Sequence, residues 1–305
     1  MKSASSTSSP IRHAALTARY RTEKTAYWCV APSVILLAIT TIAPFAAVVM
    51  FSFTDYELGA TGFNWVGLGN FARMINDQGA QKAIRNTLLF AGMVVPTTIA
   101  LAMLFAVLVN ERVKTRRAYE ILFFLPITAT VPVMSLVWSF ILHDRIGPVH
   151  ALMMTLGMPQ VSFLSDPRIV LTSLAFIAVW QHLCFAFIIF LAGLTTIPKE
   201  LYEAAALDGA DRGWERLRRI TLPLLGPTSL VVALLTTLRT LQVFDLIIVL
   251  TQGGPDGRSE VILYRTYLEA FAYFRVGYGS ALALIFVGIV GIISVIQFLS
   301  AGRRK

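Results

Sequence analysis

Six long apolar runs alternate with polar segments along this 305-residue chain. The first carries no charge from Thr25 to Thr54 and predicts a span over residues 27–53. The others predict spans over residues 85–110, 119–142, 169–194, 224–250 and 278–300. Each is long enough to cross a hydrocarbon layer of about 30 Å as a helix. Pro96, Pro126 and Pro132 fall inside the second and third spans, where neighbouring side chains can satisfy the carbonyls they free. Of the intervening segments, residues 54–83 contain Gly59, Gly62, Gly67 and Gly69 and predict a short helix at the membrane surface after Trp65–Phe71. Residues 143–168 predict a short helix over 148–156. Residues 251–277 open on Gly253-Gly254-Pro255 and continue with Tyr264, Tyr267, Phe271, Tyr273 and Phe274.

One polar segment breaks the rhythm. Residues 198–223 lie between the fourth and fifth runs, and the 25 from Lys199 to Pro223 carry ten charges. Pro198 suits a first helical position. Leu201, Ala204, Ala205 and Asp208 follow at helical spacing, and Gly209 can take the positive φ that ends a helix. Asp211 can cap a second helix, in which Trp214, Leu217 and Ile220 share a face and Glu215 can pair with Arg218 or Arg219. A charged helical hairpin tethered between two spans is placed to be gripped by something outside the membrane.

Composition agrees: 56% hydrophobic and 14% charged residues describe a polytopic membrane protein. The net charge of +9 invites a nucleic-acid reading, but the basic residues cluster at the ends of apolar runs and read as topology signals. Lys and Arg number 5, 4, 5 and 3 in the segments on the side of the termini, against 2, 2 and 3 in the opposite loops. The positive-inside rule therefore predicts cytoplasmic termini and a cytoplasmic hairpin. Residues 1–26 form a Ser-rich, basic tail expected to be disordered, 27–300 the membrane domain, and 301–305 a second tail. The first run is too long for the core of a signal peptide, so an uncleaved span is expected. Cys29 and Cys184 lie in apolar runs, the four histidines show no metal-ligand spacing, and no phosphate-binding loop occurs, so neither a catalytic site nor a bound cofactor or metal is expected in this chain.

Polar residues inside spans are costly in lipid and tend to face a cavity or a partner. Span five offers Arg239, Gln242 and Asp245 at successive three-residue steps after Thr236, a drifting stripe on one side of the helix. These residues either line a pathway for a polar substrate or fix helix packing. Trp138, and Trp180 with Gln181 and His182, offer stacking surface and hydrogen bonds.

The hairpin resembles the EAA loop of the membrane permeases of bacterial ABC importers, whose pattern is Glu-Ala-Ala, three residues, Gly, nine residues, then Ile-x-Leu-Pro. The matching residues are Glu203-Ala204-Ala205, Gly209, and Ile220, Leu222 and Pro223. Ten residues separate Gly209 from Ile220, one more than in the pattern. Trp65–Phe71, Phe244-Asp245 with Gly253-Gly254-Pro255, and Gly277-Tyr278-Gly279-Ser280-Ala281 resemble further elements of the sugar-type, MalF-like class. The resemblance implies an all-α fold, a six-span ABC type I importer permease with a coupling hairpin between spans four and five, in the bacterial inner membrane. It implies a second, homologous permease, two cytoplasmic ATPase subunits carrying ATP and Mg, and an extracytoplasmic binding protein. The implied substrate is a sugar, and the implied role of Glu203 and its neighbours is coupling to the ATPase. Glycerol phosphate or a glycerophosphodiester is the alternative substrate, to which Arg239 would be suited. An ion-coupled secondary transporter is the rival of another class. An intramembrane enzyme finds no paired carboxylates in the spans.

Overall fold

The structure is a computed structural model that describes residues 27–110, 119, 121, 123, 129–207 and 213–302. In chain order its helices are α1 (Tyr27–Ser52), α2 (Gly69–Asn76), α3 (Gln78–Asn110), α4 (Val131–Ile141), α5 (Pro148–Thr155) and α6 (Val170–Thr195). They continue as α7 (Lys199–Leu207), α8 (Trp214–Leu224), α9 (Gly226–Leu241), α10 (Asp245–Leu250), α11 (Ile262–Tyr267) and α12 (Val276–Gly302). Among the described residues the single β feature is an isolated antiparallel bridge between Thr54 and Trp65. Four helices, α1, α3, α6 and α12, are long and apolar enough to cross a bilayer, and the bent pair α8–α9 makes a fifth if counted as one span.

The centre is the pairing of α3 with α6. Ala80, Ala83, Ala91, Ala102 and Ala106 put small buried side chains along α3, which lets helices approach closely enough to pack well without a hydrophobic driving force between them. Phe187 and Phe190 of α6 fill the space so created and are fully buried. Gly193 of α6 does the same for α9, because a Cβ there would lie 2.7 Å from the Thr228 hydroxyl. By contrast α1 and α12 leave most of their apolar surface facing outward, as helices bathed in lipid do.

Two expectations need correction. The third run begins its described helix only at Val131, with Thr130 extended and Pro132 in the first turn, so α4 is a short apolar helix; of the rest, Tyr119, Ile121 and Phe123 are helical. The fifth run is not one helix over residues 224–250. It bends by 71° at Leu225, where Gly226 and Pro227 start a new helix, and it breaks again at residues 242–244. The two sides of the second break pack in different places. Leu241 is buried in one apolar cluster beside Ile262 and Phe286, whereas Leu246 and Ile247 are buried in another beside Phe90 and Ile177.

Candidate functional site

The hairpin stands on an apolar pedestal. Buried Ala102, Ala106 and Val109 of α3, Phe190 and Leu194 of α6, and Leu225 and Val232 of the bent pair form one cluster, and Tyr202 of α7 packs against it. The Tyr202 hydroxyl lies 3.4 Å from the Thr221 hydroxyl, and the Arg216 guanidinium sits 4.9 Å above the Tyr202 ring. The two arms are thus bound to each other through Tyr202 and to three helix ends through the pedestal. A cavity of about 20 Å³ bordered by Asn110, Tyr202, Arg216 and Thr221 marks the seam.

On α7, Glu203 and Ala204 are exposed and Ala205 is half-buried, so the acidic side chain and its small neighbours form a free face. Gly209 and the turn around it lie outside the described residues. Beyond it, Gly213 takes φ of 73° and Glu215 pairs with Arg219 at 2.7 Å, one of the two partners expected for it. A π-helical turn over Leu217–Thr221 follows, leaving Ile220 half-buried and Pro223 exposed. A π turn accommodates one more residue than regular helix does, in the arm where the spacing runs one residue long. Trp214 is 70% exposed.

The residues expected in the pathway separate into two groups. Gln242 and Asp245 are exposed on either side of the second break, and Phe244 lies in it with φ of −140°. Because the helix breaks there, the expected three-residue stripe through Arg239, Gln242 and Asp245 is not a continuous helical face. Arg239 instead lies with its guanidinium 3.9 Å from the centre of the Phe185 ring on α6, one turn beyond His182. Trp138 of α4 and Trp180 of α6 meet edge to face at 5.5 Å, and Trp138 packs against the same buried cluster as Phe244. Gln181 is half-buried beside Trp180.

At the end of the bundle away from the hairpin, the other motif residues converge. Asn70 donates to the carbonyls of Ser52 (2.9 Å) and Thr54 (2.8 Å), satisfying carbonyls at the end of α1. Asn86 donates to the carbonyls of Gly257 and Glu260, and the Thr87 hydroxyl accepts from the Ile262 amide at 2.9 Å, so the start of α3 grips the Gly-Gly-Pro loop. The Gly277 amide donates to the Tyr56 carbonyl at 2.8 Å, and a Cβ on Gly277 would collide with the Thr54 carbonyl oxygen.

Sequence patterning missed a buried ionic cluster at this end. Arg265 pairs with Glu269 at 2.8 Å and with Asp77 and Glu260 at 3.3 Å, while Glu269, fully buried, also meets Arg275. The Tyr278 hydroxyl donates to Asp77 at 2.8 Å. Burial pushes Glu260 above the usual carboxylate range against the pull of Arg265. Burial would raise Asp77 too, but the Tyr278 hydroxyl, Arg265 and the amides of Gly79 and Ala80 outweigh it and hold its carboxyl down. For Arg265, desolvation is outweighed by the three carboxylates, and its guanidinium is held more firmly charged. The signal available in the sequence was faint: six charged residues, four of them in this cluster, in a loop otherwise read for its aromatics.

A bundle of long apolar helices, three of them carrying the pedestal of two charged arms, defines a multi-span membrane protein. The family described as binding-protein-dependent transport system inner membrane component matches residues 98–304, and this chain belongs to it. The trehalose/maltose transport system permease protein MalF of Thermococcus litoralis is 31% identical over 94% of this chain and 96% of its own length. The probable ABC transporter permease protein YesP of Bacillus subtilis is 33% identical over 89% and 88%. A bacterial ABC transporter involved in the import of the acidic polysaccharide alginate has a chain of the same fold, with a TM-score of 0.83, 23% identity and coverage of 94% of this chain and 98% of that one.

Proposed function

We propose that this chain forms half of the translocation pathway of an ATP-driven importer of saccharides, mono- or oligomeric. In this reading it crosses the inner membrane six times, with α4 completing one crossing and both termini in the cytoplasm, as the Lys and Arg distribution supports. A second, homologous permease supplies the other half. An extracytoplasmic binding protein delivers substrate, and two copies of a cytoplasmic ATPase subunit carry ATP and Mg. Closure of the ATPases pushes on the hairpin, and the pedestal passes that displacement to α3, α6 and the bent pair, opening the cavity outward. Hydrolysis returns it. The observation that carries this reading is the exposed Glu203–Ala204 face on an arm fastened by Tyr202 to the cluster beneath three helices. Glu203 meets a basic group of the ATPase, and Ala204 and Ala205 allow close approach.

A second reading keeps the architecture and changes the substrate to glycerol phosphate or a glycerophosphodiester. Arg239 favours it, because among the described residues this cation has a ring and no carboxylate against it. The test is to purify the chain with its co-assembled subunits, reconstitute them in liposomes, and compare ATP-dependent uptake of sugars and glycerophosphodiesters. Glu203→Lys is expected to abolish substrate-stimulated ATP hydrolysis while membrane insertion is unchanged. Unaltered stimulation in that variant, or uptake with no ATPase present, refutes the coupling assignment.

A further inference from the structure

An aromatic ladder leads away from the break in span five. Phe244 stands at the break, 5.4 Å from Tyr267 between ring centres, and Tyr267 is 5.8 Å from Phe271 with the two rings tilted by 33°. Tyr264, buried, backs both Phe244 and Tyr267 at 6.3 and 6.4 Å. Exposure rises along the ladder, from half-buried Phe244 through Tyr267 at 38% to Phe271 at 63%. The π-helical turn over Leu268–Ala272 follows Tyr267 directly and carries Phe271, and with it the last ring stays beside the one before.

Lipid alone does not account for this face. Gln242 and Asp245, exposed beside Phe244, are a carboxamide and a carboxylate that would be expensive against acyl chains and are stable facing water. Rings interleaved with a few polar groups form the mixed surface that binds a ligand with apolar faces and hydroxyl edges. A saccharide is such a ligand: its C–H faces stack on rings and its hydroxyls pair with carboxamide and carboxylate. Three rings in succession, the first pair edge to face and the second tilted by 33°, extend further than one monosaccharide needs.

We propose that Phe244, Tyr267 and Phe271 form an oligosaccharide track that guides sugar units from the outer mouth to the polar residues at the break. The proposal rests on the saccharide reading above and specifies the substrate as a chain of at least two units. Gln242 and Asp245 hold hydroxyls at its inner end. Tyr267 contributes a ring and a hydroxyl at its middle, and Phe271 receives the leading unit.

The test uses the reconstituted complex with its binding protein and, as probes, glucose, maltose and maltotetraose. Tyr267→Leu and Phe271→Leu keep apolar bulk and remove the stacking plane; Phe271→Trp restores it. Each Leu variant is expected to raise KM for the longer probe about threefold to tenfold, the loss of one stacked ring. Basal ATP hydrolysis, which needs no saccharide, should stay at its wild-type value, the rise should be larger for maltotetraose than for maltose, and Phe271→Trp should behave as wild type. Independently, Phe271→Cys in the assembled complex should react with a sulfonate-bearing thiol reagent added outside, more slowly when maltotetraose and the binding protein are present. Wild-type KM in both Leu variants, an equal rise for short and long probes, or a cysteine that the reagent cannot reach overturns the track. Uptake of glucose alone by the wild type overturns the track and leaves the saccharide reading intact. Uptake of glycerophosphodiesters with no saccharide uptake overturns that reading and the track with it.

Discussion

Arg265→Met should destabilise the end of the bundle away from the hairpin more than any surface change. Methionine keeps the apolar stem of the side chain about as far as the Nε position and loses the guanidinium that lies against Gly79. What it removes is the one cation shared by Asp77, Glu260 and Glu269. Their side chains are only 19%, 14% and 1% exposed, so water cannot replace the lost partner. Breaking a buried pair by deleting one partner costs about 3–5 kcal/mol. Arg275 still reaches Glu269, while the other two carboxylates lose their guanidinium, which places the cost within that range. By the scaling of soluble domains the melting temperature should fall by roughly 10 °C. Arg265→Lys should recover only part, since a single ammonium cannot reach three carboxylates with the fork of a guanidinium.

The same substitution has a pH signature. In the wild type, Asp77 is held low, so its contribution is present above the unfolded carboxylate value and lost as pH falls through the lowered one. Glu260 is raised, so its contribution is present at low pH and lost as pH rises through the raised value. Without Arg265 the carboxyls of Asp77 and Glu260 lose the charge that pulls them down and shift upward, and the variant loses stability over the range in which they ionise. Arg275, Arg73 over the Tyr278 ring, Tyr264 and Tyr278 face the cluster too. Melting of the purified complex in lipid nanodiscs, followed by intrinsic fluorescence at pH 5 and pH 7, should therefore show a wider gap from wild type at pH 7. A gap that stays constant, or widens toward pH 5, would falsify the assignment of the cost to uncompensated carboxylates.

Other outcomes are specific enough to check. Asn86→Leu removes two hydrogen bonds that hold the Gly-Gly-Pro loop and leaves two carbonyls without that donor; about 1–3 kcal/mol per group predicts faster proteolysis within residues 253–260. Gly277→Ala places a methyl group against the Thr54 carbonyl, and the resulting backbone shift should cost about 1–3 kcal/mol and lower the yield of assembled complex. Cysteines at 242 and 245 should react with polar thiol reagents in the assembled complex faster than cysteines at outward-facing Ile292 and Val295 of α12, and equal rates would remove the break from the pathway. Tyr202→Leu keeps the apolar contact with the pedestal but loses the hydroxyl and the ring under Arg216; it should weaken coupling between ATP hydrolysis and uptake without changing insertion.

Four of the apolar spans and the two charged helical arms, Lys199–Leu207 and Trp214–Leu224, were legible in the sequence because each depends on local facts: whether twenty residues avoid charge, and whether charges recur at helical spacing. The match of Glu203-Ala204-Ala205 to a family pattern belongs to the same kind of information, as does the turn after Gly253. Other features depended on partners far away in the chain. Nothing in Thr236 to Asp245 taken alone forbids an unbroken helix, yet the helix stops, with Leu241 on one side of the break and Leu246 on the other buried in different clusters. Asn70, Asn86 and Gly277 look ordinary until the carbonyls they serve or approach are known, and those belong to residues up to 223 positions away. Arg265 reads as a loop cation with Glu260 and Glu269 near it in sequence, yet its third carboxylate, Asp77, comes from the residue before α3 and meets it only in the assembled fold. Apolar length and helical charge spacing are properties of contiguous residues, so the chain alone determined them. Burial, breaks and ion-pair partners are set by which surfaces meet, and only the tertiary structure decided that.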